Sequence, residues 1–105
     1  MKIGAAVEAL AALAQESRLA IFRLLVQAGQ EGVAAGVLAE KLGIPPATLS
    51  FHLKALAHAR LVKSRTKGRF VIYSANFTEM DNLIGYLTEH RCAGDAAQCA
   101  PIKKC

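Results

Sequence analysis

Residues 43–71 read GIPPATLSFHLKALAHARLVKSRTKGRFV. Gly43 is a helix-ending residue, and Ile44, Pro45 and Pro46 make a tight connector. Pro46 suits the first turn of a new helix, where its missing N–H leaves nothing unsatisfied. The spacing predicts a helix from about Pro46 to Ala59 with Leu49, Leu53 and Leu56 on one face. Ala47, Ser50, Phe51, Lys54 and His58 point away from that face, and Thr48 flanks them. His52 lies between the two sets and is expected to be packed and hydrogen-bonded. Upstream, Val33 to Leu42 has the pattern of a shorter helix, so the order is helix, tight turn, helix, the DNA-binding helix-turn-helix arrangement.

Charge follows the same boundary. From Lys41 to Thr78 there are seven Lys/Arg and no Asp or Glu, although the chain has eight acids elsewhere. A segment free of carboxylates keeps a positive potential that a phosphate backbone can exploit. On the proposed reading helix, Thr48 and Ser50 can bond bases or phosphates, Lys54 suits a phosphate, and Phe51 can touch a thymine methyl group. The plain alternative for this face is a solvated surface, but an exposed Phe among small polar residues favours a face that something covers.

After the helix the period changes. Leu61 to Ser74 reads as two strands split by Thr66-Lys67-Gly68-Arg69, a hairpin turn in which Gly68 takes positive φ. Lys63, Arg65, Lys67 and Arg69 alternate along this wing and meet at its tip, while Val62, Phe70 and Ile72 are the expected anchors. Charge on such a hairpin also protects a sheet edge. Its place directly after a helix-turn-helix, with no balancing acids, favours contact with DNA.

The flanking segments are helical. Val7, Leu10 and Leu13 recur among alanines between Ala5 and Ala14, in a helix that wants cover on two sides. Ser17 is the expected N-cap of a second, central helix carrying Leu19, Ile21, Phe22, Leu25 and Val26, with Arg18 and Arg23 left to solvent and Gly29 as its stop. Asn76 or Thr78 caps a last helix whose Phe77, Met80, Leu83, Ile84 and Leu87 form an apolar stripe. Beyond His90 the periodicity is lost. The predicted fold is mainly α with a small β-hairpin: a winged helix-turn-helix of about five helices and a two-stranded wing over residues 1–90, followed by a cysteine-containing tail over 91–105.

At 105 residues the chain is one domain, small enough that self-association usefully buries further surface. The net charge of +5 is concentrated rather than general. MKIGAAVEALAALAQ has the outline of an export signal, but Glu8 interrupts it and the pattern runs on into the next helix. No uncharged stretch reaches the roughly 18 residues that span a bilayer. A cytoplasmic setting with no membrane partner is expected, where cysteines are free thiols or ligands rather than a disulfide framework. No nucleophile–base constellation, phosphate-cradling glycine loop or carboxylate pair suggests an enzyme.

SRLAIFRLL at 17–25, PPATLSFHLKALAHARLV at 45–62 and KSRTKGRFVIYSA at 63–75 together make the chain similar to the ArsR/SmtB-type winged-helix repressors of bacteria. The specific points are Ser50, His52, Leu53 and Leu56, then Leu61 and Val62, then Gly68, Arg69 and Tyr73. The resemblance implies a homodimer formed mostly by the first and last helices, bound to double-stranded operator DNA until an effector releases it.

The family holds its metal or metalloid ligands in several alternative places. The C-x-C of its best-known arsenic site, on the helix before the reading helix, has no counterpart, since Val33 to Gly43 contains no cysteine. The zinc pattern on the last helix is incomplete: Asp81, Glu89 and His90 lack the second histidine of an i, i+3 or i+4 pair. Cys92, Cys99 and Cys105, all within the last fourteen residues, resemble the subset of arsenic repressors whose thiols follow the last helix. Trivalent arsenic and antimony are soft and prefer thiolate sulfur, three donors or two when an organic group occupies one position. The implied effectors are arsenite, methylarsenite or antimonite, with Cys92 and Cys99 the firmer pair and terminal Cys105 the third donor. The same thiols would also serve a redox switch, closing a disulfide or taking up persulfide. Sensing of zinc, cadmium or nickel is a further alternative.

Overall fold

The computed structural model describes residues 1–90; Cys92, Cys99, Cys105 and the expected tail lie outside the described residues. Five helices and three strands follow in the order α1 (Ile3–Leu13), α2 (Glu16–Ala28), β1 (Val33–Ala34), α3 (Ala35–Leu42), α4 (Pro46–His58), β2 (Val62–Lys67), β3 (Phe70–Ala75) and α5 (Phe77–Thr88). A 3-10 turn, Gly29–Glu31, joins α2 to β1. The core gathers Ile21, Phe22 and Leu25 of α2, Leu38 of α3, Leu49, Leu53 and Leu56 of α4, and Leu83 of α5. Leu61 and Val62 close it from the base of the wing.

Two local expectations are corrected. Ser17 lies inside the first turn of α2, and the capping acceptor is Gln15, whose Oε1 takes the N–H of Arg18 at 2.8 Å. The longer Gln side chain reaches back over the turn that Ser17 has already entered. Arg18 is not left to solvent either: its Nε donates to the Ala12 carbonyl at 2.6 Å and ties the end of α1 to the start of α2.

Val33 and Ala34 form a strand rather than the start of a helix. They pair antiparallel with Tyr73 and Ile72, giving a three-stranded sheet of order β1-β3-β2 with β3 in the middle. The local pattern from Val33 to Leu42 is helical, but the unpaired edge of β3 offers ladder bonds to the first two residues. Gly32 allows this approach. Its φ is +75°, and a Cβ there would collide with the Tyr73 carbonyl oxygen.

The helix-turn-helix is built as expected. Gly43 is left-handed at φ 64°, and the N–H of Ile44 returns to the Ala39 carbonyl at 3.0 Å, a Schellman closure of α3. Three residues later Pro46 opens α4. The same closure recurs at the end of α4, where Leu61 N–H bonds the Leu56 carbonyl at 3.0 Å across Arg60, a non-glycine residue at φ 64°. Asn76 fixes the opposite side of that corner: Nδ2 donates to the Arg60 carbonyl at 2.9 Å, while Oδ1 accepts the Glu79 N–H and so caps α5.

Candidate nucleic-acid interface

On α4, Leu49, Leu53 and Leu56 are buried, and Ala47, Thr48, Ser50, Phe51, Lys54 and His58 are all exposed. Phe51 has 68% of its surface open. The helix is thus divided as its spacing predicts, with a small polar and cationic face outward around one aromatic ring. His58 is not idle at that surface, since its Nε2 stands 3.4 Å from Oε1 of Glu8 on α1. His52 is packed, only 8% exposed, with its ring edge-on to Phe51 at 6.0 Å. The expected hydrogen bond is missing, because buried Nδ1 has no partner among the described residues.

The wing pairs Val62 with Ala75, Lys63 with Ser74, Arg65 with Ile72 and Lys67 with Phe70. Gly68 and Arg69 are the two central residues of the turn, and of these only Gly68 has positive φ, the pattern of a type II′ hairpin. The turn therefore sits one residue later than Thr66 to Arg69. Directly paired residues of an antiparallel ribbon share a face. Lys63, Arg65 and Lys67 consequently stand on the same face as Phe70 and Ile72, while Val62 turns the other way into the core.

Phe70 is therefore not an anchor. It is 63% exposed, opposite Lys67 and beside Arg69 at the tip. Ile72 is half-buried. The sequence carries the signal for this arrangement: any two-residue loop here pairs odd-numbered residues of β2 with even-numbered residues of β3.

The four wing cations differ in their local ties. Lys63, Lys67 and Arg69 are exposed, with no ion pair among the described residues. Arg65 is also exposed, but its guanidinium forks onto backbone, with Nη2 donating to the Glu31 carbonyl at 2.8 Å and Nη1 to the Gln30 carbonyl at 3.3 Å. It straps β2 across β3 to the turn that leads into β1. Among the described residues no three His, Cys, Asp or Glu side chains gather as a metal site, and no helix is long and apolar enough to cross a membrane.

A helix-turn-helix followed by a charged two-stranded wing defines the winged-helix class of DNA-binding domains. Comparison with known proteins places the chain within it. Residues 13–65 match the helix-turn-helix domain family. The nodulation protein NolR of Rhizobium meliloti is 34% identical over 80 residues, which are 76% of this chain and 63% of NolR. The chain thus spans less than two thirds of that relative's length. The arsenical resistance operon repressor of Bacillus subtilis is 37% identical over 81 residues, 77% of this chain and 72% of the repressor. Among solved structures, the homodimeric winged helix-turn-helix DNA-binding domain of a possible ArsR-family regulator from Mycobacterium bovis superposes with a TM-score of 0.67 at 25% identity. That match covers 90% of this chain and 87% of the other. The chain belongs to this helix-turn-helix family and, within it, to the ArsR-type winged-helix transcriptional regulators, which are DNA-binding proteins and not enzymes.

Proposed function

We propose that this protein is a homodimeric transcriptional repressor that holds operator DNA through α4 and the wing and releases it when a trivalent arsenical or antimonite binds its C-terminal thiolates. One observation carries the first half: the outward face of α4 and the exposed cations of the wing lie in a stretch of 38 residues, Lys41 to Thr78, without a carboxylate side chain. Lys54, Lys63, Lys67 and Arg69 supply phosphate contacts, and Ala47, Thr48, Ser50 and Phe51 face the bases. The reading of Arg65 as a phosphate contact is secondary to its strap.

The dimer is supported by apolar surface on α1, α2 and α5 that a single protomer leaves uncovered. Ile3, Val7 and Leu10 recur at i, i+4 and i+7 on α1 and are exposed, as are Ile84 and Leu87 on α5 and Leu19 on α2. An open groove between α2 and α5, floored by Phe22, Val26, Met80 and Leu83, adjoins them. A second copy laid on these helices covers surface that costs free energy in water. It also supplies the second reading head that a two-fold operator needs.

The effector half rests on chemistry. Every cysteine follows α5, close in sequence to the helix that carries the dimer surface. A soft thiophilic ion drawn to Cys92 and Cys99, with Cys105 as a third donor, would bias the dimer between two spacings of its reading heads. Weakening DNA affinity a hundredfold takes about 2.7 kcal/mol of differential affinity.

The test is anisotropy of a labelled duplex from the region upstream of the gene, titrated with arsenite, methylarsenite, antimonite, zinc, cadmium and peroxide. Release by the arsenicals or antimonite alone, abolished in Cys92→Ser and Cys99→Ser without loss of DNA binding, is the expected result. Release by peroxide alone transfers the same thiols to redox sensing. Release that persists in both serine variants places the effector site elsewhere.

A further inference from the structure

We propose that Phe70 is an apolar DNA-contact residue, seated against the sugars and base edges that line the minor groove. The proposal rests on the DNA-binding reading above. The register of the wing fixes where the ring stands: opposite Lys67, adjacent in sequence to Arg69, on the same face as Lys63 and Ile72. The ring is 63% exposed. Ala34, Val37 and Ile72 line an open groove beside it, with Lys67 and Arg69 at the end.

A large apolar ring held between two cations at the tip of a two-residue turn is a poor surface to leave in water. Phe70 has no part in the hydrophobic core. Any occupant that covers it must also accept Lys67 and Arg69, and therefore carries negative charge on both sides of an apolar strip. The rim of a duplex minor groove has that composition, since deoxyribose edges run between rows of phosphates, and Phe is among the side chains that insert there. Gly68 keeps the tip narrow, because no side chain stands between Lys67 and Arg69 at the turn. Phe70 and the cations then perform separate tasks: the cations exchange counterions for phosphates, and the ring exchanges water for sugar.

That division is measurable. Affinity of the full-length protein for the upstream duplex is read by anisotropy across a salt series for wild type, Phe70→Ala, Phe70→Leu and Arg69→Ala. Phe70→Ala is expected to weaken binding about tenfold at every salt concentration with an unchanged slope of log affinity against log salt. Phe70→Leu, which keeps an apolar surface, is expected to stay within about threefold of wild type. Arg69→Ala, which removes one phosphate contact from each of the two reading heads, is expected to flatten the slope by about two. Hydroxyl-radical footprints, which report sugars exposed in the minor groove, should lose protection in Phe70→Ala at a discrete set of sugars while the rest of the footprint stays as in wild type. Phe70→Ala binding and footprinting like wild type overturns the proposal, leaving the DNA reading intact and the ring to another occupant. Absence of duplex binding by the wild type removes the reading beneath it.

Discussion

Arg65 donates Nη2 to the carbonyl of Glu31 at 2.8 Å, joining the second strand of the sheet to the turn before the first across the central strand between them. A cation that sequence places in a phosphate-binding row is thus engaged with backbone. Its neighbours Lys63 and Lys67 have no such tie among the described residues. Charge-assisted bonds at a surface contribute modestly, and the geometry they hold matters more than their energy. Arg65→Ala is expected to lower stability by about 1 kcal/mol or less. It should leave the salt slope of DNA binding closer to wild type than Lys67→Ala does, as a salt series on both variants will show. Arg65→Lys should not restore the strap, because an ammonium lacks the planar fork that reaches two carbonyls at once.

Gly32 and Gly29 make a paired test of backbone and packing. Both have positive φ, +75° and +74°, but only at Gly32 does an added Cβ meet backbone. Gly29→Ala is expected to cost roughly 1–3 kcal/mol, because φ 74° with ψ −161° lies in a region of backbone space that essentially only glycine occupies. Gly32→Ala carries the same backbone penalty and should cost about 1–2 kcal/mol more than Gly29→Ala, because β1 must also move away from Tyr73. Urea unfolding of the two variants separates the terms.

Asn76 serves two elements with one side chain, capping α5 through Oδ1 and holding the left-handed Arg60 corner through Nδ2. Asn76→Ala should lose about 1–2 kcal/mol. Asn76→Asp keeps the cap acceptor and loses the donor, so it should fall between alanine and wild type in thermal midpoint.

The exposed stripe of α1 and α5 predicts oligomeric state. Val7→Glu or Ile84→Glu places a carboxylate in a surface that a second copy would desolvate. Sedimentation equilibrium should show each variant monomeric at concentrations where wild type is dimeric. DNA affinity should fall with it, since one reading head then binds alone.

Much of this molecule is legible from neighbouring residues. Leu49, Leu53 and Leu56 announce the buried face of α4, Gly43 and Pro46 bound the turn, and Gly68 marks the hairpin, because each depends on backbone preferences within a few residues. What escapes local inspection depends on distant partners. Val33 and Ala34 become a strand only because Ile72 and Tyr73, some forty residues on, present an unpaired edge. The missing partner of His52 Nδ1 depends on how α4 packs. Phe70 belongs to a different kind: hydrophobicity suggests an anchor, while the pairing parity of a two-residue turn assigns it to the cationic face. At the candidate interface the outward set of α4 was legible, and the separate employment of Arg65 was not.

The most direct test of the account is the affinity of the purified full-length protein for its own upstream duplex as salt is raised, beside a variant with Lys54, Lys63, Lys67 and Arg69 all changed to Ala. Tight binding at low ionic strength that falls steeply with salt, with both affinity and slope reduced in the variant, is the predicted result. A wild-type protein that fails to bind duplex at low salt, or a variant that binds with the same affinity and slope, would contradict it.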